Sequence, residues 1–184
     1  MHTLNAFADL DKRILVLPKS QIKNWKALCK DYNFELKHIL VAGGINRFSS
    51  VKNGLRKVDE GSIVAIHDGV RPLISKNLTN KLIATTKKGI GVVPVVPVKD
   101  SLRKVDGNNS KAVSRSSLYK VQTPQCFFAS TIKDAYKQNF SLFFTDDASV
   151  LESNGGKIIV ILGEGKNIKI TTKEDLRIAE VFMQ

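Results

Sequence analysis

Two rhythms of apolar and polar positions share the first hundred residues. Short, almost unbroken apolar runs recur as RILVLP (13–18), HILVAG (38–43), SIVAIHD (62–68) and GIGVVPVVPV (89–98). Each reads as a strand covered on both faces, because a half-exposed strand would alternate with polar residues. Between them, apolar residues fall at helical spacing. Ile22, Trp25, Leu28 and Cys29 mark a helix over 20–32 with Ser20 as its N-cap. Val51, Leu55 and Val58 mark one over 48–58, and Leu78, Leu82 and Ile83 one over 75–88. Strands and helices alternating at this period predict right-handed βαβ units and a mostly parallel sheet.

The rhythm changes after residue 99. Residues 100–127 alternate apolar and polar positions around DGNNS, which predicts a β-hairpin projecting as an arm over about 100–125. Helices are expected near 129–139 and 146–154, then a strand KIIVIL (157–162) and a short extended NIKI (167–170). A last helix starts at about 173, with Thr172 and Asp175 spaced as a capping box. Residues 1–184 read as a single α/β domain.

Charge narrows the partners. The net charge of +12 favours anionic ligands such as nucleotides, phosphorylated metabolites or nucleic acid. The lysines are spread along the chain, with no arginine-rich tail, helix-turn-helix signal or aromatic RNA-binding motif, so nucleic acid is not expected. No apolar run approaches the roughly 20 residues of a membrane span. Cys29 and Cys126 are unclustered, which suits a reducing, cytoplasmic setting. His2, His38 and His67 lack metal-ligand spacing, so no zinc site is suggested.

Several motifs carry chemistry. HDGVRP (67–72) ends a strand, where open α/β sheets bind ligands; Asp68 suits a magnesium ion or sugar hydroxyl and Arg71 a phosphate, although a helix cap and a surface arginine would look the same. TDDAS (145–149) places Thr145 and two carboxylates at a helix start, where capping is the competing reading. VQTPQCF (121–127) sets Thr123 before a proline in an extended segment. NIKITTKEDL (167–176) sets Lys169 before a helix, where it can neutralise phosphate. GGINRFSS (43–50) has neither the Walker pattern nor GxGxxG, so Gly43 and Gly44 suit the close approach of a base or ribose as well as phosphate.

In this order, GG-x-x-R-x-x-S-V-x-x-G-L, HDGVRP, PV-x-D-S, a later arginine, TPQ-x-F, TDDAS and NIKIT-x-x-DL resemble the 2-C-methyl-D-erythritol 4-phosphate cytidylyltransferases over essentially all of residues 1–184. The related ribitol-phosphate cytidylyltransferases share much of the pattern. The resemblance implies a Rossmann-like nucleotidyltransferase fold with a protruding β-arm, and a homodimer in which each arm reaches the partner's site. It implies transfer of a cytidylyl group from CTP to the sugar-alcohol phosphate, with Mg²⁺, in non-mevalonate isoprenoid synthesis. Gly43, Gly44 and Ile45 would meet the cytosine, and Ser50 the base or ribose. Asp68 would bind the ribose and metal region, Arg71, Thr123 and Thr145 would line the sugar-phosphate pocket, and Lys169 would contact the α-phosphate. Ser101, where the family usually has threonine, and Arg115 would grip the substrate phosphate from the arm. The family begins with a strand and an A-A-G-x-G-x-R-M loop around the triphosphate. That segment is expected to be missing from this chain, an N-terminal truncation leaving residues 1–184 weak in CTP binding and with little activity alone. The alternatives are the ribitol 5-phosphate enzyme and a non-catalytic dimerising module.

Overall fold

A computed structural model describes residues 1–183. The chain opens with a short helix α1 (His2–Asn5), then strand β1 (Ile14–Leu17), helix α2 (Ile22–Asp31) and strand β2 (Ile39–Ala42). Helix α3 (Arg47–Leu55), strand β3 (Ile63–Ile66), helix α4 (Lys76–Thr85) and strand β4 (Ile90–Pro97) continue the alternation. Strands β5 (Leu102–Asp106) and β6 (Asn109–Val113) form a hairpin, followed by β7 (Tyr119–Val121) and β8 (Gln125–Phe128). Helices α5 (Ala129–Ala135) and α6 (Asp147–Ser153), strand β9 (Lys157–Leu162) and helix α7 (Lys173–Met183) complete it.

The strands fall into three sheets. β1 and β2 form a parallel pair joined through α2, as the first βαβ reading predicts. The main sheet runs β3-β8-β4-β7, with β9 also on β4. β4 and β9 are parallel, whereas β8 runs antiparallel to both β3 and β4, and β7 antiparallel to β4. The sheet is therefore mixed rather than mostly parallel. The strands that reverse it, β7 and β8, come from the segment whose alternation predicted only a hairpin. That hairpin is shorter than expected: β5 pairs with β6 around a tight Gly107-Asn108 turn, with Gly107 at φ 55°, while Tyr119–Val121 joins the main sheet.

Helices cover both faces of the main sheet. Phe48 and Leu55 of α3, Ile132 of α5 and Leu151 of α6 pack with Phe127 on one side. Leu78 and Leu82 of α4 pack with Val92 and Cys126 on the other. Caps fix several starts. Asn46 accepts from Ser49 N–H at 2.7 Å, and Ser75 from Leu78 N–H at 3.0 Å. Thr172 and Asp175 form the predicted reciprocal pair, Asp175 N–H to Thr172 Oγ1 at 3.1 Å and Thr172 N–H to Asp175 Oδ2 at 2.9 Å. Ser20 does not cap α2, because a 3₁₀ turn at Lys19–Gln21 carries the chain into it. NIKI forms no strand, since its backbone is engaged by the loop after β3.

Candidate active site

The segment after β3 bends through His67, Asp68, Gly69 and Val70 and meets residues 167–170 after β9. Ile170 N–H donates to the Val70 carbonyl at 2.9 Å. Arg71 crosses the seam: its Nε donates to Asp68 Oδ2 at 3.0 Å and its Nη1 to the Asn167 carbonyl at 2.8 Å. The Arg71 side chain is only 11% exposed, so it is a strut of the site more than an open phosphate grip. Lys169 reaches the same carboxylate oxygen at 3.3 Å, with its side chain 49% exposed. Lys169 thus lies beside Asp68, yet on the solvent side, where it can exchange that partner for an incoming phosphate.

Burial opposes ionisation of Asp68, but the hydrogen bond from Arg71 and the charge of Lys169 outweigh it. Its carboxyl is held below the usual range. Asp68 is consequently a carboxylate at neutral pH. Both cations sit on Oδ2; among the described residues, Oδ1 accepts no hydrogen bond. Mg²⁺ is usually bound by one or two carboxylates together with phosphates and waters, so one such oxygen fits that ion, and Asp68 is the residue that can hold it.

Thr123 orders the floor. Its Oγ1 accepts from Asp68 N–H at 3.0 Å and donates to His67 Nδ1, also at 3.0 Å, because the neutral ring carries its proton on Nε2. His67 Nε2 then donates to the Arg71 carbonyl at 2.9 Å. The imidazole is neutral in this chain of bonds. Burial pushes its pKa down to about 4. The buried Asn167 donates to the Thr123 carbonyl at 2.8 Å, and Gln122 donates to the carbonyls of Glu164 and Asn167 at 2.8 and 3.2 Å. Sequence reading weighed His67 only as a metal ligand and gave no role to Asn167 and Gln122. Their signal is weak, since only the fold reveals that a polar side chain is buried.

The glycine turn behaves as a rigid edge. A Cβ on Gly44 would lie 2.3 Å from Ser49 Cβ, so only glycine fits there. Ser50 Oγ accepts from Gly44 N–H at 3.0 Å and donates to the Asn46 carbonyl at 2.8 Å. That hydroxyl shapes the turn. Ile45 is 98% exposed beside it.

TDDAS divides its work. Asp146 caps α6 in a box with Ser149, and Thr145 stays exposed just before it. Asp147 is fully buried, accepting from Tyr136 Oη at 2.6 Å and Arg47 Nη1 at 3.0 Å. This pins the turn at Gly43-Gly44 to the α6 start, a link that sequence reading missed. Ser101 and Arg115 are exposed on either side of the hairpin, and they share no hydrogen bond with the Asp68 cluster. The fold therefore gathers Asp68, Arg71, Thr123 and Lys169, sets Gly43, Gly44, Ile45 and Ser50 in a turn tied to α6, and leaves the arm residues apart.

A carboxylate, a half-exposed lysine and a largely buried arginine beyond a strand end of an α/β sheet make a site of the class that suits enzymes handling phosphorylated ligands. Comparison with known proteins makes the class specific. The family model of IspD, 2-C-methyl-D-erythritol 4-phosphate cytidylyltransferase, matches residues 1–184. The 2-C-methyl-D-erythritol 4-phosphate cytidylyltransferase of Azobacteroides pseudotrichonymphae is 46% identical, the match covering 100% of this chain and 84% of that protein. That of Bacteroides fragilis is 42% identical, over 100% and 85%. The crystal structure of the Thermus thermophilus enzyme of that name superposes with a TM-score of 0.82 at 28% identity, covering 99% of this chain and 87% of the other. The chain belongs to the 2-C-methyl-D-erythritol 4-phosphate cytidylyltransferase family, a family of nucleotidyltransferases. Among the described residues no helix is long and apolar enough to cross a membrane.

Proposed function

We propose that this chain transfers a cytidylyl group from CTP to 2-C-methyl-D-erythritol 4-phosphate, releasing pyrophosphate, as a cytoplasmic step of isoprenoid synthesis. The observation that carries the proposal is Lys169 held 3.3 Å from Asp68 at the open face of a strand-end site. A phosphate oxygen of the sugar alcohol attacks the α-phosphorus of CTP. A new P–O bond forms as the bond to pyrophosphate breaks, and the electron pair leaves with pyrophosphate. Such a reaction needs alignment and charge neutralisation more than a protein nucleophile.

The residues divide that work. Lys169 leaves Asp68 for the α-phosphate and neutralises charge that grows in the transition state. Asp68 would hold Mg²⁺, which when bound supplies further positive charge at the phosphates. Arg71 and Thr123 keep Asp68 and the 167–170 segment in register, and Thr145 faces the sugar phosphate. The Gly43-Gly44-Ile45 backbone offers its edge to the cytosine, with Ser50 setting that edge. Ser101 and Arg115 act in trans, the hairpin of one protomer reaching the substrate phosphate of its partner in a homodimer.

The matching family and relatives carry methylerythritol phosphate in their names, which favours it over ribitol 5-phosphate as substrate. The resemblance puts the triphosphate loop ahead of the residues matched here, so the test uses residues 1–184 joined at Met1 to the front of a family member. Pyrophosphate release is expected with methylerythritol 4-phosphate and only at background with ribitol 5-phosphate. The reverse preference would reject the assignment.

A further inference from the structure

Both chain neighbours of Asp68 are held by the first turns of the chain. Thr3 lies in α1 and Phe7 in the helical turn that continues it, where Ala6 N–H donates to the His2 carbonyl at 3.1 Å and Phe7 N–H to that of Leu4 at 3.0 Å. Four residues apart, the two side chains share one face. Thr3 Oγ1 donates to the Gly69 carbonyl at 2.7 Å. The Phe7 ring meets the His67 imidazole edge-on, with ring centroids 4.8 Å apart. Residues 67 and 69 are thus gripped from the same side, with Asp68 between them.

The support behind this grip is firm. Ala6 and Phe7 pack on the core cluster that holds Leu82, Val92 and Cys126. Arg13 Nη1 donates to the Ala8 carbonyl at 2.8 Å and to that of Leu10, which fixes the turn after Phe7. The gripped segment needs such support. Arg71 N–H donates to the Asp68 carbonyl at 3.0 Å and closes a turn over residues 68–71. The Gly69 carbonyl sits on the central peptide of that turn, whose direction the closing bond does not set by itself. Among the described residues only Thr3 donates to that carbonyl. On the far side of the turn, the Val70 carbonyl accepts from Ile170 N–H at 2.9 Å, so the turn is strung between α1 and the segment that carries Lys169. Gly69 is exposed, and water could satisfy its carbonyl equally well. What water cannot supply is a fixed direction, and alignment is what a phosphoryl-type transfer asks of the protein.

We propose that Thr3 is a positioning residue of the active site: its hydroxyl fixes the peptide that follows Asp68, so that the carboxylate faces the metal and Lys169 in one orientation. The inference rests on the reading of Asp68 as the residue that holds the metal, and deepens it.

The test begins with amide exchange in residues 1–184. Thr3→Val keeps the β-branched shape and removes the donor. Exchange at Gly69, Val70 and Arg71 is expected to quicken at least about threefold, and Thr3→Ser to return it to the native rate. Turnover is then measured in the same chain joined to a family front, with CTP, Mg²⁺ and 2-C-methyl-D-erythritol 4-phosphate. Thr3→Val should lower kcat about three- to tenfold and raise the half-saturating Mg²⁺ concentration, again with rescue by serine. Both KM values should stay within about twofold, because the hydroxyl touches neither substrate. Asn5→Ala, at an exposed position of the same helix, should match the native protein throughout. Native exchange or a native kcat in Thr3→Val would overturn the proposal. So would a valine effect that serine leaves unrepaired or that Asn5→Ala reproduces. Asp68→Asn separates the two claims. At the native rate it would reject the reading of Asp68 and this inference with it, whereas a dead Asp68→Asn beside an unaffected Thr3→Val would reject this inference alone.

Discussion

Arg47 and Asp147, 100 residues apart, form a bidentate ion pair whose carboxylate is wholly buried while the guanidinium stays partly open to water. Burial disfavours the Arg47 charge, but the bond and field of Asp147 outweigh it and raise its pKa. Burial, then Asp147, raise the Tyr136 hydroxyl as well, so it stays protonated and donates to that carboxylate. Asp147→Ala strands both donors. It is expected to cost about 2–3 kcal/mol in urea unfolding, near the low end for buried pairs because Arg47 keeps solvent on one side. Tyr136→Phe should cost about 1 kcal/mol. An unchanged midpoint for Asp147→Ala would remove this pair from the account of the glycine turn.

Acid should weaken the fold through His67. The unfolded imidazole titrates near 6.5, whereas the buried ring titrates at about 4. Between these values the unfolded state binds more protons, so stability is full above about pH 6.5 and falls as pH drops toward 4. Asp68 has the opposite shift relative to its charge: its contribution is present above its ordinary 3.8 and is lost as pH falls through the lower folded value. Melting temperatures from pH 7.5 to 4.5 should fall for the native protein and more shallowly for His67→Gln. Parallel slopes would contradict a buried neutral ring.

Thr123→Val removes the hydroxyl between Asp68 N–H and His67, at constant shape. A loss of about 1–2 kcal/mol is expected, with most of it restored by Thr123→Ser. Equal stability of the valine and serine variants would show that the bridge is dispensable.

Removal of residues 102–113, with the ends joined by a short linker, should leave the main sheet intact, because β5 and β6 pair only with each other. On the proposed homodimer, light scattering is expected to report a dimer for the native chain and a monomer after the deletion, with the circular dichroism of the helices kept. A dimer that survives the deletion would place the interface elsewhere.

How far the sequence reveals this molecule depends on the range of the contacts. β1 to β4 were legible as uninterrupted apolar runs, but the cover expected on both faces is found only for β4, while the residues of β1, β2 and β3 stay partly exposed. The mixed direction of the main sheet was not, because YKVQTPQCF carries polar residues that turn out to be buried. Gln125 is fully enclosed, donating to Asp146 Oδ2 at 2.8 Å and accepting from Ala148 N–H at 2.9 Å. Asp68 and Lys169 were each legible as motif residues, but their contact depends on β3 and β9 lying in one sheet. Asp146 shows the opposite limit: capping, the plainer reading, holds for it, while Thr145 lies exposed just before the helix. β9, read simply as a strand, is likewise an apolar run without full cover, since Val160 and Leu162 remain exposed.

Lys169→Ala tests the central claim most directly. In residues 1–184 joined to a family front, with CTP, Mg²⁺ and 2-C-methyl-D-erythritol 4-phosphate, the account predicts that pyrophosphate release falls at least about 100-fold, chiefly in kcat, as expected for a charge that acts in the transition state. Circular dichroism and melting should be unchanged, because Lys169 is half exposed and Asp68 keeps Arg71. A Lys169→Ala enzyme that turns over at the native rate would contradict it.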